Sequence, residues 1–363
     1  MSKWEWKEFE DCIERVKYTT KIPSKDYLQE GEFPIVSQED CLISGYWNDR
    51  SDLFKVTKPI VIFGDHTKVL KYIDFDFVLG ADGVKILCPK DYLNAHFFFY
   101  FLKSVNFDNL GYARHYRLLK ELSVPIPPLS EQKRIVKFLD EEFSKIDTLK
   151  TNAETNLKNA KELFETTLEK ELNPLSRHSE RSEESSAELP SGWEWKKLGE
   201  VCEIICGQNY KNVECECGAY PVYGSGGVIG YAREFRCPAN CTIVGRKGSI
   251  NNPMYVEEPF WNIDTAFGLS AKECMESKYL FYFCKCFDFT TLDKSSGRPS
   301  LARKDLLEIQ IPLPPLSVQK EIVARLDKLS ENVKRLEANY KQIIANCDEL
   351  KKSILKKTFE EES

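Results

Sequence analysis

Hydrophobic and polar positions alternate with two different periods along this chain. Toward its end, apolar residues stand at Ile322, Leu326, Leu329, Val333, Leu336, Tyr340, Ile343, Cys347, Leu350 and Ile354. The steps alternate between four and three. That is a heptad seam, and it predicts a left-handed coiled coil. A rougher seam runs through Ile135, Leu139, Ile146, Leu149, Ala153 and Ala160, with Glu142 and Asn156 interrupting it and Leu163, Phe164 and Leu168 shared between rows. Helices are therefore expected over 131–173 and 318–363. About 40 residues at ~1.5 Å each give a rod of roughly 60 Å, longer than a small domain is wide. This favours a spacer over two helices lying on separate domain surfaces.

Before each helix the pattern shortens to strand-like runs. Phe33-Pro-Ile-Val36 reads as an extended strand, and Lys58 to His66 as a β-branched strand feeding a loop. Phe77 to Leu87 reads as a strand, a Gly-Ala-Asp-Gly turn and another strand. Tyr92 to Leu102 reads as a buried helix whose aromatic residues serve the core. Gly224-Ser-Gly-Gly227 is a hairpin turn, since no helix follows it as a dinucleotide loop would need. Leu175 to Ala187 is rich in Ser, Glu and Arg with few apolar anchors, which predicts a flexible linker.

The two halves repeat each other. Val124-Pro-Ile-Pro-Pro-Leu-Ser-Glu-Gln-Lys-Arg-Ile-Val-Lys-Phe-Leu-Asp140 returns 187 residues later as Ile311-Pro-Leu-Pro-Pro-Leu-Ser-Val-Gln-Lys-Glu-Ile-Val-Ala-Arg-Leu-Asp327. Trp4-Glu-Trp-Lys7 returns at Trp193, Phe33-Pro34 at Tyr220-Pro221, Tyr92-Leu93 at Tyr279-Leu280, and Val61-Ile-Phe-Gly64 at Thr242-Ile-Val-Gly245. The prolines force extended backbone ahead of each helix. Ser130 and Ser317 then stand where N-caps are expected, with Glu131 at the positive end of the first helix dipole. Lys133 and Lys320 occupy the place of a capping-box carboxylate.

The expected organisation is a first α+β domain over 1–130, a long helix over 131–173, a linker over 174–190, a second α+β domain over 191–317 and a second long helix over 318–363. Antiparallel packing of the helices would relate the two domains by a pseudo-twofold axis. Two divergent readers on such a spacer suit two half-sites on a duplex.

Composition narrows the classes. Of 363 residues 42% are apolar, enough for two cores, and the formal charge is −6. With a pI near 5.6 a protein that grips nucleic acid alone through a broad basic face is disfavoured. The polar start, Met1-Ser-Lys-Trp-Glu-Trp-Lys7, does not suit a signal peptide, and Phe97 to Leu102 is too short to span a bilayer, so a cytoplasmic protein is expected. Thirteen cysteines is an odd number, which fits a disulfide framework poorly. The pairs Cys202/Cys206, Cys215/Cys217, Cys237/Cys241 and Cys284/Cys286 lack the CxxC spacing of a zinc site. The sequence carries no Asn-Pro-Pro-Tyr or Asp-Pro-Pro-Tyr methylase motif, no Gly-Lys-Ser/Thr phosphate loop and no HExxH. No enzymatic centre is expected.

The chain resembles the specificity subunits of type I restriction-modification systems. The resemblance is carried by the paired Pro-Pro-Leu-Ser-x-Gln-Lys-x-Ile-Val segments, by Leu189-Pro-Ser-Gly-Trp-Glu-Trp-Lys-Lys-Leu-Gly199 and by the hairpin Tyr220 to Tyr231. Ile243-Val-Gly-Arg-Lys-Gly-Ser249, Gly297-Arg-Pro-Ser-Leu301 and Ile62-Phe-Gly-Asp-His-Thr67 belong to the same pattern. The chain departs from the pattern in being somewhat short, in starting its first copy without the Leu-Pro-x-Gly-Trp lead-in and in carrying the Ser/Glu/Arg linker.

The resemblance implies two target recognition domains and a bipartite double-stranded DNA target. It implies assembly with two methyltransferase (modification) subunits and with restriction motor-nuclease subunits. S-adenosylmethionine, ATP and magnesium would sit on those partners and no cofactor on this chain. A related type II system with fused methylase-nuclease partners would use a similar subunit, and a coiled-coil adaptor for protein ligands is the competing class.

For DNA contact, Arg and Lys suit guanine O6 and N7, while Asn and Gln suit adenine. The candidates in the second half are Arg246, Lys247 and Ser249, in a Gly-flanked loop after a strand, with Lys294 and Arg298 in Lys-Ser-Ser-Gly-Arg. In the first half they are Asp65, His66 and Lys68, with Arg114, His115 and Arg117 in Tyr112-Ala-Arg-His-Tyr-Arg117.

Overall fold

The computed structural model describes residues 4–81, 83–106, 114–173 and 189–360. Two compact units divide it, Met1–Glu154 with Lys341–Ser363 and Thr155–Tyr340. Each unit takes its helical part from both long helices. The linker expected at 174–190 lies, but for Leu189 and Pro190, outside the described residues.

In the first unit an antiparallel sheet has the order Ile13–Glu14, Val84–Pro89, Ile60–Gly64, Leu70–Ile73. Its Ile60–Gly64 strand is buried at every position, as a continuous β-branched run requires. A second sheet joins Lys21–Ile22, Phe77–Gly80, Phe33–Val36 and Gly45–Trp47, with Leu53–Phe54 also on Phe77–Gly80. Phe33–Val36 pairs antiparallel with Gly45–Trp47 and parallel with Phe77–Gly80. The two strands expected over Phe77–Leu87 are both present, and they serve different sheets. The helix spans Ala95–Ser104, so Tyr92 precedes it. Asn94 Oδ1 caps it by accepting the His96 and Phe97 amides at 2.9 and 3.0 Å. Phe97, Phe98 and Leu102 join Phe9, Val61, Phe63, Ile135 and Leu139 in the core, which the second long helix closes with Leu355 and Phe359.

The second unit follows the same plan. Its antiparallel sheet runs Cys202–Cys206, Ala266–Ala271, Cys241–Gly245, Met254–Val256, and a smaller sheet runs Gly227–Ala232, Tyr220–Gly224, Trp261–Asn262. Tyr220–Gly224 again pairs antiparallel with its hairpin partner and parallel with the third strand. The helix Ser277–Cys286 is capped by Glu276, whose side chain accepts the Tyr279 amide. Leu168 and Leu172 of the first long helix share a core with Val244, Phe267, Tyr279, Leu280 and Leu326.

The repeated segments are each other's partners. Glu5–Glu8 pairs with Ser123–Ile126, setting Trp6 opposite Pro125, and Glu194–Lys197 pairs with Gln310–Leu313, setting Trp195 opposite Pro312. Two expectations from the repeat need correction. Leu129–Leu172 and Leu316–Glu360 are the helical spans, so Ser130 and Ser317 lie inside the first turn. Pro128 and Pro315 take the terminal place, their carbonyls accepting the amides of Glu131 and Gln132 and of Val318 and Gln319. Tyr279-Leu280 matches Phe97-Phe98, not Tyr92-Leu93, because the caps Asn94 and Glu276 fix the register.

Past the first turns of each helix, where Ile135 and Ile322 are buried in the unit cores, the heptad seam is buried in only one of its rows. Leu139, Ile146, Ala153 and Ala160, seven apart, are buried in the first helix, as are Leu326, Val333 and Cys347 in the second. The other row stays open, with Leu149, Leu163, Leu336, Ile343 and Leu350 between 38% and 58% exposed. In the first unit the helices run antiparallel, with Lys150 on Asp348 at 2.8 Å and Lys351 on Asp147. In the second unit Arg325 holds Glu171 with two nitrogens. Among the described residues no helix is long and apolar enough to cross a membrane.

Candidate nucleic-acid interface

In both units the structure brings together the two loops that hold the candidate residues. The first loop of each pair leaves the end of a central buried strand. In the second unit that strand is Cys241–Gly245, and Gly245 is obligatory, because a Cβ there would stand 2.1 Å from the Ser249 carbonyl oxygen. The Arg246 and Lys247 amides both donate to Thr265 O, at 2.8 and 3.2 Å, and Leu301 N donates to Arg246 O at 2.8 Å. Gly248 N donates to Pro299 O at 3.0 Å, and Lys247 bridges to Ser300. The loop of Lys294 and Arg298 is thereby laced onto the loop of Arg246, Lys247 and Ser249.

Arg298 lies over Gly248, whose backbone is left-handed at φ +84°; a Cβ there would meet the guanidinium Nη2 at 2.9 Å. Asp293 anchors the same loop. Its carboxylate accepts the Ser295 hydroxyl and amide and the Ser300 amide, and these bonds hold its pKa below the usual value. Arg246 sits over the Phe267 ring at 5.8 Å, with Nη1 donating to Asp264 O at 3.4 Å. Lys294 pairs with Asp305 at 3.0 Å. Lys247, Ser249, Lys294 and Arg298 are exposed, and Arg246 is half-buried. Arg246 and Lys294 border a hollow of about 540 Å³ that Arg303 and Lys304 also line. Those last two residues escaped the sequence reading, although Leu301-Ala-Arg-Lys304 holds adjacent cations directly after the named Gly-Arg-Pro-Ser stretch.

The first unit has the same lacing. Asp65 N donates to Gly83 O and His115 N donates to Asp65 O, each at 2.7 Å. Gly64 is the counterpart of Gly245, and a Cβ there would stand 2.2 Å from Thr67 Oγ1. The side chains divide differently from expectation. Asp65 and His115 are 3% and 1% exposed, so the reading that gave their side chains to DNA is corrected. Asp65 is an internal anchor: Oδ1 accepts the Tyr116 amide at 2.8 Å, and Oδ2 pairs with Lys85 at 3.6 Å. His115 Nδ1 stands 3.0 Å from Asp65 O. What remains outward is Arg114 and Arg117, exposed, and His66 and Lys68, half-buried, the last with φ +60°. Tyr112 and Ala113 lie outside the described residues.

The cysteines do not gather around either loop pair. Cys202, Cys237, Cys241 and Cys284 are buried, while Cys206 and Cys217 are exposed. Burial pushes the Cys202 thiol up to about 12, the behaviour of a packed apolar side chain. Among the described residues no group of three or more His, Cys, Asp or Glu is placed to hold a metal ion.

Each unit thus carries one strand-end loop laced to a second loop, with outward cations on the pair, and the sequence of each unit matches a known family. Residues 1–159 and 190–345 each match the type I restriction modification DNA specificity domain. The chain belongs to that family, and it carries the domain twice. Among relatives, it is 24% identical to the type I restriction enzyme MjaVIII specificity subunit of Methanocaldococcus jannaschii, over 92% of this chain and 88% of that one. It is 27% identical to the EcoR124I/EcoR124II specificity subunit of Escherichia coli over 39% of this chain and 37% of that one. Among solved structures, a chain from work on complex assembly and conformational transition of the type I R-M system superposes with a TM-score of 0.75 at 19% identity, covering 99% of this chain and 98% of that chain. The HsdS subunit from Thermoanaerobacter tengcongensis gives 0.59 at 20% identity, over 99% and 97%.

Proposed function

We propose that this chain is the sequence-reading subunit of a type I restriction-modification complex, each of its two domains reading one half of a bipartite double-stranded DNA target. The observation that carries this reading is the pair of laced loops, built the same way twice on one family domain but furnished with different side chains. In the second unit Arg246, Lys247, Lys294 and Arg298 face outward; in the first, Lys68, Arg114 and Arg117 do. Guanidinium and ammonium donors on glycine-flanked loops suit phosphate and guanine edges. The chain itself is acidic overall, at −6, so neutralising most phosphates falls to partners.

Those partners are two modification subunits, joined by restriction subunits where the complex cleaves. The open row of the helical seam supports helix docking, since half-exposed leucines at heptad spacing invite another helix. S-adenosylmethionine, ATP and magnesium belong on the partners, and the present chain is a non-catalytic reader. A subunit serving fused methylase-nuclease partners would share these features, and the partner gene separates the two.

Co-expression with the neighbouring methyltransferase gene, followed by single-molecule sequencing of the host genome, tests the reading. Two short half-sites with methylated adenine, separated by a fixed unspecified gap, are expected. A stable complex that leaves no new methylation would refute it and favour a protein-binding adaptor.

A further inference from the structure

Each unit carries a second outward element beside its laced loops, and it is apolar. In the second unit Val228 and Ile229 follow the Gly224–Gly227 turn and are 50% and 49% exposed. In the first unit Leu42 and Ile43, 49% and 39% exposed, stand in the connection between Phe33–Val36 and Gly45–Trp47. The two hairpins hold the same place in their sheets, each with its first strand parallel to a third. Leu42–Ile43 stand just before the hairpin's second strand and Val228–Ile229 at the start of the corresponding one. Single exposed aliphatics need no explanation, but an adjacent pair near the tip of the same hairpin in both units does.

The tips are fixed and adjoin the basic loops. In the first unit Lys71, itself buried, donates to Ser37 O at 2.8 Å and Cys41 O at 2.6 Å, and the Ser37 and Ser44 hydroxyls meet at 2.7 Å. Gln38 Oε1 then accepts the His66 amide at 3.3 Å, and Gln38 O accepts the Thr67 hydroxyl at 2.6 Å. In the second unit a Cβ on Gly224 would stand 3.5 Å from Thr265 Oγ1 and 3.8 Å from Ile229 Cγ2. The Thr265 carbonyl is the acceptor that holds Arg246 and Lys247. Gly226 and Gly227 have no atom within 4 Å of the place a Cβ would take, so that backbone is open to close approach.

We infer that the aliphatic pairs Leu42–Ile43 and Val228–Ile229 pack against thymine C5-methyl groups in the major groove, each beside its unit's basic loop. This rests on the DNA-reading function proposed above. The thymine methyl is the one apolar group on a major-groove base edge. Cations alongside hold the phosphates that bring it within reach. A target in which adenine is methylated contains at least one A·T pair, hence a thymine to touch.

The test uses the chain assembled with its modification subunits and the mapped duplex, with deoxyuridine replacing thymine one position at a time. Uracil removes the methyl and leaves base pairing intact. At least one replacement in each half-site is expected to weaken binding by about fourfold, the worth of one buried methyl. The double variant Val228→Ser/Ile229→Ser should bind the thymine duplex more weakly and ignore uracil in one half-site only. Leu42→Ser/Ile43→Ser should do the same in the other half-site. Unchanged thermal unfolding of both variants would exclude misfolding. Equal affinity for thymine and uracil duplexes, or a uracil penalty that survives in both variants, would overturn the inference and leave the reading function standing. A wild-type complex that cannot distinguish its target from random DNA would overturn both.

Discussion

Gln132 accepts the Asn94 amide on its Oε1 at 2.7 Å, and in doing so ties the start of the first long helix to the cap of the head's buried helix. Its Nε2 donates to Tyr92 O at 2.9 Å and Pro127 O at 2.8 Å. Gln319 does the same in the second unit, accepting from Glu276 N and donating to Cys274 O and Pro314 O. Both glutamines are fully buried. The Pro-Pro-Leu-Ser-x-Gln segment therefore repeats because one amide side chain must satisfy two carbonyls and one amide at the same joint. Replacing Gln132 by Leu keeps the volume and strands three backbone groups. A loss of about 2–4 kcal/mol is expected, read as a lower first-unit transition in thermal unfolding. Gln132→Glu should not rescue it, since a carboxylate cannot donate to the carbonyls.

The parts legible in the sequence were those fixed by short-range pattern. Ile60–Gly64 and Phe33–Val36 announced themselves through β-branched runs, and the long helices through heptad spacing. The loop pairing was not legible, because it depends on Leu301 N reaching Arg246 O and His115 N reaching Asp65 O across long stretches of chain. Nor was the fate of Asp65: a carboxylate after a strand reads as a surface group until its partners, the Tyr116 amide and Lys85, are seen. The pairing of Tyr279 with Tyr92 failed for a related reason. A shared Tyr-Leu dipeptide is weaker information than a cap. The true register leaves 24 residues between Ser104 and Leu129 and 29 between Cys286 and Leu316. The difference falls in the segment that holds the outward loop of Lys294 and Arg298.

Gly248 and Arg298 form a unit that a single methyl can break. Ala at Gly248 must adopt φ +84° and would crowd the guanidinium. Gly248→Ala and Arg298→Ala should each weaken binding of the assembled complex to its target by about tenfold, the worth of one base contact. Their effects should not add, because both displace the same side chain. Competition binding against random duplex checks this. An equal loss on both DNAs would make Arg298 a phosphate contact.

The open seam row predicts an assembly defect without a folding defect. Leu149 and Leu350 are 57% and 49% exposed, so Glu at either costs the first unit little on its own. It would place a charge under a docking helix. Association with the modification subunit should weaken by about tenfold or more, as for an interface anchor, while thermal unfolding of the isolated chain stays within a degree or two. Wild-type association by either variant would remove the seam from the interface.

His96 separates the two units by pH. Its ring is stacked between Tyr72 at 4.6 Å and Tyr100 at 4.7 Å, with Nε2 at 3.4 Å from Asp140 Oδ1. Burial lowers its pKa, against the pull of Asp140 and with help from Lys103. The folded unit thus favours neutral imidazole, whereas the unfolded chain takes a proton near pH ~6.5. Stability from this site is present above that pH and is lost as pH falls from there toward the lowered folded value. In the second unit the equivalent place is held by Lys278, paired with Asp327 at 2.8 Å, where the Tyr282 hydroxyl also donates. An ammonium there does not titrate in this range. Between pH 7.5 and 5.5 the first unit should lose stability that His96→Phe retains, since phenylalanine keeps the stack and cannot bind the proton. Hydrogen exchange resolved by unit reads both at once. A slope unchanged in His96→Phe would assign the pH dependence to carboxylates instead.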